Sequence, residues 1–137
     1  MKTKGVQQGK TRWAHYSIAY HFVWIPKYRR PVLLDDVQAA FNELVAECCE
    51  RHGFTLLECE TDQDHVHVFV SAPPSWAPAT IVGYLKGYTS RFLRLRFNRL
   101  VKICRKDPLW TKAYYVGTAG ATTSEAIRKY IAESQGR

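Results

Sequence analysis

The sequence of 137 residues contains no long hydrophobic run, no Cys-x-x-Cys motif and no signal-peptide pattern at its polar N-terminus. No apolar stretch approaches the roughly 20 residues that cross a bilayer, so we expect a cytoplasmic protein with no membrane partner. In that compartment cysteines stay reduced, and buried free thiols are expected. The length predicts a single domain over residues 1–137, with a mobile tail at 1–11. The cysteines are Cys48, Cys49, Cys59 and Cys104.

Acidic residues are also scarce, and they are absent from one long stretch. The chain has 12 Asp and Glu against 20 Lys and Arg, which gives a net charge of +8. Between Lys86 and Lys106 every charged side chain is basic. A second basic cluster, at 27–30, follows Trp24 closely. Excess positive charge favours a polyanionic partner, and basic groups beside aromatic rings suit single-stranded nucleic acid.

Hydrophobic periodicity predicts elements in the order β-α-β-β-α-β-α. Asp35 or Asp36 is expected to cap the first helix, and Gly53 to end it. Pro78 suits the first turn of the second helix, whose core positions include Leu95. This order favours an α+β sandwich with helices mainly on one face of an antiparallel sheet, as in ferredoxin-like and RNA-recognition folds. The predicted strands span 16–24, 55–60, 65–71 and 113–118; the helices span 35–52, about 78–95 and the residues after a capping box at 122–125.

Two histidines stand out in the alternating run from His65 to Val70. Alternation with period two predicts a strand with one buried face, which places the three valines on one face and His65 and His67 on the other. Two imidazoles on one strand face lie close enough to hold one metal ion. A histidine pair on a strand is also often a plain surface pair, and this pattern alone leaves both interpretations open.

Tyr130, on the predicted last helix, is a candidate nucleophile. A tyrosine hydroxyl, with an ordinary pKa near 10, needs a metal, a base or a cation beside it to attack at neutral pH. Arg128 and Lys129 precede it directly. Glu133 follows about one turn later on nearly the same helix face, where it could ligate the metal. The alternative is that the Tyr130 ring simply packs on the sheet.

Five segments, in order, resemble the TnpA-type transposases of small bacterial and archaeal insertion sequences, the single-tyrosine HUH class. The resemblance covers nearly the whole chain. Its HUH motif corresponds to Asp64-His65-Val66-His67, and its catalytic helix to Ile127-Arg128-Lys129-Tyr130-Ile131. The other three segments are Tyr20 to Arg30, Leu85-Lys86-Gly87 with Ser90-Arg91, and Leu109-Trp110 with Tyr114 to Gly120.

The resemblance implies a DNA transposase that cleaves and rejoins single-stranded DNA at insertion-sequence ends. Tyr130 would attack a phosphate and leave a 5′-phosphotyrosine and a free 3′-hydroxyl, while His65 and His67 hold Mg²⁺ or Mn²⁺. Family members recognise DNA hairpins and act as homodimers, so hairpin-bearing single strands and a second copy of the chain are the expected partners. The candidate hairpin contacts are Lys27, Arg29, Arg30, Lys86, Arg91 and Arg94.

The third metal ligand departs from the family pattern. Members commonly carry Gln four residues after the tyrosine, whereas this chain has Ser134 there and Gln135 one position later. Segment alignment favours Gln135, helix geometry favours Glu133, and both remain candidates. If neither serves, the chain is an inactive copy. An oxygen donor beside two imidazoles suits Mg²⁺ or Mn²⁺, although imidazoles also accept Zn²⁺.

Other functions stay open from the sequence. A domesticated relative that processes hairpins, or a replication initiator, would use the same chemistry. A non-catalytic module that binds single strands would need neither Tyr130 nor the histidines. A small zinc hydrolase would use His65, His67 and a cysteine, for which Cys59 on the neighbouring predicted strand is the candidate.

Overall fold

A four-stranded antiparallel sheet forms the centre of the fold in the computed structural model, which describes residues 8–10 and 15–118. Its strand order, β4-β5-β3-β6, confirms the predicted α+β class. The last predicted helix, with its capping box, lies outside the described residues. The elements are β1 (Gln8–Lys10), β2 (His15–Ser17), β3 (Ala19–Trp24), a 3-10 turn (Lys27–Arg29), α1 (Asp35–His52), β4 (Thr55–Asp62), β5 (His65–Ser71), α2 (Pro78–Arg96), α3 (Asn98–Cys104) and β6 (Tyr115–Thr118).

The N-terminal segment differs from the sequence prediction. Residues 8–10, assigned to a tail, form β1, which pairs with β2 in a separate two-stranded sheet. The first predicted strand, 16–24, is divided at Ile18 into β2 and β3. Periodicity reports where a chain is extended, but it does not report which extended segments share a sheet.

The central sheet has two unlike faces. We call the face that carries Val66, Val68 and Val70 the helix face, because these side chains join one buried cluster with α1 and α2. We call the opposite face, which carries His65 and His67, the histidine face. Residues directly opposite one another on paired strands share a face, so Phe22 and Trp24 belong to the helix face. Each fully buried apolar side chain of this kind stabilises the fold by about 1.5–3 kcal/mol.

The ends of α1 confirm one prediction and correct another. Gly53 follows the helix with φ 72°, a left-handed conformation that glycine adopts without strain. Neither Asp35 nor Asp36 is the N-cap residue, which is Leu34, and no side chain caps the helix. Asp36 instead lies in the first turn, where its carboxylate accepts a hydrogen bond from the Val37 amide at 3.0 Å. An acidic first turn is still favourable because it faces the positive end of the helix dipole.

The second helix confirms the start at Pro78 but not the whole predicted core stripe. Ile81 and Leu85 are fully buried, whereas Leu95 is 70% exposed, so the prediction that Leu95 is a core residue is wrong. Leu95 lies one residue before the helix ends at Arg96. The short helix α3 follows directly, and its Leu100 is buried in the core instead.

A register shift interrupts β4 near its start. Leu56 pairs with Val70 and Glu58 with Phe69, so Leu57 is an extra residue on this strand, a β-bulge. Beyond the bulge, Glu60 pairs with His67 and Asp62 with His65. A two-residue turn, Gln63-Asp64, then leads into β5. No helix in the described part of the chain is long and apolar enough to cross a membrane.

Candidate metal and DNA site

His65 and His67 lie side by side on the histidine face, as the alternation predicted. Their ring centroids are 5.3 Å apart, and the ring planes are inclined by 77°. His65 is partly exposed near the tight turn, whereas His67 lies one pleat further into the sheet and is buried. The period of the strand therefore places the two imidazoles on one face without any longer-range contact.

Asp64 fixes the ring of His65. One carboxylate oxygen of Asp64 lies 3.0 Å from His65 Nδ1, and the other lies 3.1 Å from a guanidinium nitrogen of Arg29. The hydrogen bond with His65, together with the Arg29 charge, lowers the pKa of the Asp64 carboxyl. A carboxylate only accepts, so Nδ1 of His65 carries a proton, and a lone pair for metal binding can lie only on Nε2. Metal-binding histidines are commonly held by a carboxylate in this way.

His67 makes a comparable contact with a different partner. Its Nδ1 lies 2.9 Å from Nε2 of His21 on the neighbouring strand β3, and both side chains are buried. The His21 ring also stacks on Phe69, with centroids 4.3 Å apart and planes inclined by 2°. Burial lowers the pKa of both His21 and His67 to about 4, with a smaller contribution from His67 to the pKa of His21 and from His65 to the pKa of His67. Both rings are therefore neutral at pH 7, the form in which imidazole binds metals.

The donor set on this face fits a divalent cation in part. Among residues 8–10 and 15–118, no group of three His, Cys, Asp or Glu side chains is arranged to hold a metal ion. The described residues thus supply two imidazole donors, and further donors have to come from water, substrate or the rest of the chain. The proposed nucleophile Tyr130 and both candidate third ligands, Glu133 and Gln135, lie outside the described residues.

The structure contradicts a zinc site that uses Cys59. Cys59 pairs with Val68 across the sheet, so it lies on the helix face, away from His65 and His67. Its thiol donates a hydrogen bond to the side-chain oxygen of Asn42 on α1 at 3.4 Å. Burial raises the pKa of this thiol, which keeps it protonated and a poor ligand. The zinc hydrolase that the sequence left open is therefore wrong for this cysteine.

Three of the six predicted DNA contacts form a cluster next to the histidine site. Lys27, Arg29 and Arg30 belong to the 3-10 turn after β3 and its flank, and Arg29 contacts Asp64 directly. Tyr28 among them is 67% exposed, and the Lys27 and Arg30 cations lie 5.6 and 5.0 Å from its ring centre. An exposed ring flanked by cations offers a base a stacking surface and the adjacent phosphates a counter-charge.

The other three lie on α2, in the helix layer. The Lys86 ammonium donates to the backbone oxygens of Thr111 and Lys112, and burial lowers its pKa. Arg91 is exposed beside Phe92, and Arg94 donates to the Ser90 carbonyl at 3.3 Å. The structure thus divides the predicted contacts between two layers, and Lys86 supports the segment that leads into β6.

Sequence reasoning did not assign roles to His21 and Asp64. Asp64 was visible as the residue before the first histidine, and an Asp next to His is a local signal for a carboxylate–imidazole pair. His21 had a weaker signal. Its spacing of two from Val23 places it on one face of its strand, but its approach to His67 depends on the register between β3 and β5, which are far apart in sequence.

The comparisons with known proteins agree on one family. The family model for IS200-like transposases matches residues 14–134. The transposase for insertion sequence element IS200 of Salmonella typhimurium is 35% identical over 121 residues, which is 88% of this chain and 77% of that protein. The ISDra2 transposase TnpA of Deinococcus radiodurans is 31% identical over 130 residues, which is 95% of this chain and 92% of that protein.

Two solved structures share the fold. A candidate transposase from Deinococcus radiodurans R1 superposes with a TM-score of 0.76 at 30% identity, covering 91% of this chain and 96% of that one. A REP-associated tyrosine transposase bound to a REP hairpin superposes with a TM-score of 0.56 at 11% identity, covering 90% of this chain and 68% of that one. At this identity the match shows only that the fold is shared. With the family model matching most of its length, the chain belongs to the IS200-like transposase family, which assigns it to DNA transposition.

Proposed function

We propose that this protein cleaves and rejoins single-stranded DNA at insertion-sequence ends through a 5′-phosphotyrosine on Tyr130. The observation that carries the proposal is the pairing of His65, whose Nδ1 is bound by Asp64, with His67 on one sheet face of a transposase. Two imidazoles held on one face are a suitable anchor for a cation that acts on phosphate.

The proposed cofactor is Mg²⁺ or Mn²⁺. His65 and His67 would hold it, with an oxygen donor from Glu133 or Gln135. When bound, such a cation polarises the scissile phosphate and neutralises the charge that develops on its oxygens. The lowered pKa of His67 favours this role, because the ring needs no deprotonation at neutral pH to donate its lone pair.

The covalent step belongs to Tyr130. Its phenolic oxygen forms a bond to the phosphorus while the bond from phosphorus to the 3′-oxygen breaks, and the phenol proton is exchanged for one on the departing 3′-hydroxyl. The phosphotyrosine keeps the energy of the broken ester. A 3′-hydroxyl of another strand can then attack it and release Tyr130, so rejoining needs no ATP.

The proposed substrate is a single strand that carries a hairpin. The exposed Tyr28 ring with its flanking Lys27 and Arg30 suits such a strand, and Arg29 connects this surface to the histidine site through Asp64. Arg91 and Arg94 add positive charge on α2. The hairpin bound to the structurally similar REP-associated transposase supports the same substrate class.

A homodimer is the proposed assembly. In the described part of the chain, β6 is the outer strand on its side of the sheet, next to β3. Tyr114, Tyr115 and Val116 on or beside this strand are exposed. An edge strand with exposed apolar side chains is a common pairing surface between protein chains.

The test is a covalent adduct assay. The protein is mixed with 5′- and 3′-labelled single strands that carry an element-end hairpin, with Mn²⁺, and adducts are resolved on denaturing gels. We expect wild type to retain the label on the 3′ side of the break and Tyr130→Phe to form no adduct while still binding DNA. Tyr115→Phe is the matched control, because Tyr115 is an exposed tyrosine on the histidine face and the change keeps its ring while removing only a hydroxyl that the proposed reaction does not use.

Two outcomes would overturn the proposal. Binding without an adduct in Mg²⁺ and Mn²⁺, with true element ends, would favour a non-catalytic module. An adduct that survives Tyr130→Phe but disappears in Tyr115→Phe would move the nucleophile to β6.

A further inference from the structure

A third histidine, His21, lies directly behind the proposed metal pair. It is 3% exposed, and its Nε2 lies 2.9 Å from Nδ1 of His67. The register between β3 and β5 places His21 opposite Phe69, one pleat from His67, so the contact runs diagonally across two neighbouring strands. The stack on Phe69 holds the plane of the His21 ring.

The hydrogen bond between these two rings has only two neutral arrangements. In the first, His67 Nδ1 carries the proton and donates it to His21 Nε2, which leaves a lone pair on His67 Nε2. In the second, His21 Nε2 donates, His67 Nδ1 accepts, and the proton of His67 lies on Nε2. His67 can bind a metal through Nε2 only in the first arrangement, because in the second its one lone pair is already engaged.

We propose that His21 is a positioning residue of the site: it accepts the Nδ1 hydrogen bond of His67 and thereby holds His67 in the tautomer whose Nε2 is free to ligate. The importance of this role for metal binding rests on the proposed function. His21 does for His67 what Asp64 does for His65, although its ring is neutral where the Asp64 group is a carboxylate. Each imidazole of the pair therefore has its Nδ1 engaged by a partner on the protein.

The tautomer is measurable without metal, DNA or activity. Long-range ¹⁵N–¹H correlation spectra of the metal-free, ¹⁵N-histidine-labelled protein distinguish the two tautomers of each ring. We expect His67 in wild type to be protonated on Nδ1. His21→Phe keeps an aromatic ring to stack on Phe69 but removes the acceptor, so His67 should shift to a mixture of tautomers. His21→Gln retains an acceptor oxygen and should restore the Nδ1–H form.

Metal affinity is the second readout. Loss of a group that orients a metal ligand typically weakens binding by about 10- to 100-fold, and we expect this loss of Mn²⁺ affinity for His21→Phe and recovery for His21→Gln. Thr89→Val is the control for destabilisation, because Thr89 is buried on the helix side and its hydroxyl accepts from Trp110. Thr89→Val should lower the free energy of unfolding but change neither the tautomer of His67 nor the affinity for Mn²⁺.

The outcomes separate the two proposals. A wild-type His67 protonated on Nε2, or a tautomer and Mn²⁺ affinity unchanged in His21→Phe, would overturn the role of His21. Absence of Mn²⁺ binding in wild type would instead contradict the proposed function, and the tautomer spectra would still decide whether His21 sets the protonation of His67.

Discussion

The two faces of the central sheet are built by the same strands but carry opposite chemistry. On the helix face, Val66, Val68 and Val70 are fully buried against α1 and α2. On the histidine face, the side chains that alternate with them are His65, His67 and the buried Phe69. Along β5, side chains that stabilise the core therefore alternate, residue by residue, with side chains that face the candidate metal site. The separation is incomplete at His67, which is both buried and a candidate ligand.

The largest expected effect is on the helix face. Phe22→Ala removes a fully buried ring and leaves a cavity, so we expect the free energy of unfolding to fall by about 3–5 kcal/mol. Urea unfolding followed by tryptophan fluorescence measures it. At temperatures where the variant remains folded, its Mn²⁺ affinity should match wild type. A selective loss of Mn²⁺ binding with little loss of stability would contradict the separation of the two faces.

Acid should weaken the metal-free protein through the histidine face. Burial lowers the pKa of His21 and His67 from the ordinary 6.5 to about 4, so the unfolded chain binds more protons in this range. Stability is thus fully present above pH 6.5 and is lost as the pH falls toward 4, by an amount on the order of 3 kcal/mol for each ring. Urea titrations across this range check it. His21→Phe should reduce the slope, and a flat profile in wild type would argue against buried neutral rings.

His65→Ala tests the chemistry with little change to the core. His65 is partly exposed and lies on the sheet face opposite α1 and α2, so we expect the free energy of unfolding to change by less than about 1 kcal/mol. Cleavage of the hairpin substrate should fall by about 100-fold or more because a metal ligand is lost. Adduct yield and urea unfolding, measured on one preparation, check both expectations. Equal cleavage by wild type and variant would show that His65 takes no part in the reaction.

Asp64→Asn should have a smaller effect on the same face. The amide oxygen still accepts from His65 Nδ1, but the negative charge is gone, so Mn²⁺ affinity should fall by about 10-fold. Asp107→Asn is the matched control. Asp107 also pairs with an arginine of the basic loop, Arg30 at 3.8 Å, but the structure gives it no histidine contact. Calorimetric titration with Mn²⁺ compares the two variants. An equal loss of affinity in both would mean that the change in net charge, and not the contact with His65, causes it.

The smallest effect is expected on the outer surface of the helix layer. Arg96 pairs with Glu43 at 3.2 Å, and both side chains are largely exposed. Arg96→Ala should lower the free energy of unfolding by no more than about 0.5 kcal/mol, because water and salt screen such pairs. Urea unfolding at low and high salt measures it. A loss above 1 kcal/mol would show that this ion pair contributes to the α1–α2 packing.

The sequence predicted what depends on neighbouring residues and missed what depends on distant ones. Placing His65 and His67 on one face requires only the two-residue period of their own strand. Placing His21 against His67 requires the register of two strands that are far apart in sequence, and no local pattern contains it. The exposure of Leu95 was missed because the buried stripe of α2 continues from Leu85 through Thr89 and Leu93, a choice that depends on how the helix packs against distant parts of the chain. The roles of Tyr130, Glu133 and Gln135 stay predictions.

The bulge at Leu57 allows the two ends of β4 to pair with β5 in different registers. Before it, Leu56 enters the core from the loop that follows α1; beyond it, the tight turn decides where Glu60 and Asp62 stand opposite the imidazoles. The extra residue accommodates the difference in register between the start of the strand and its turn end. A change of one residue in the α1–β4 connection can therefore be taken up at position 57 without rotating the acidic side chains away from the imidazoles.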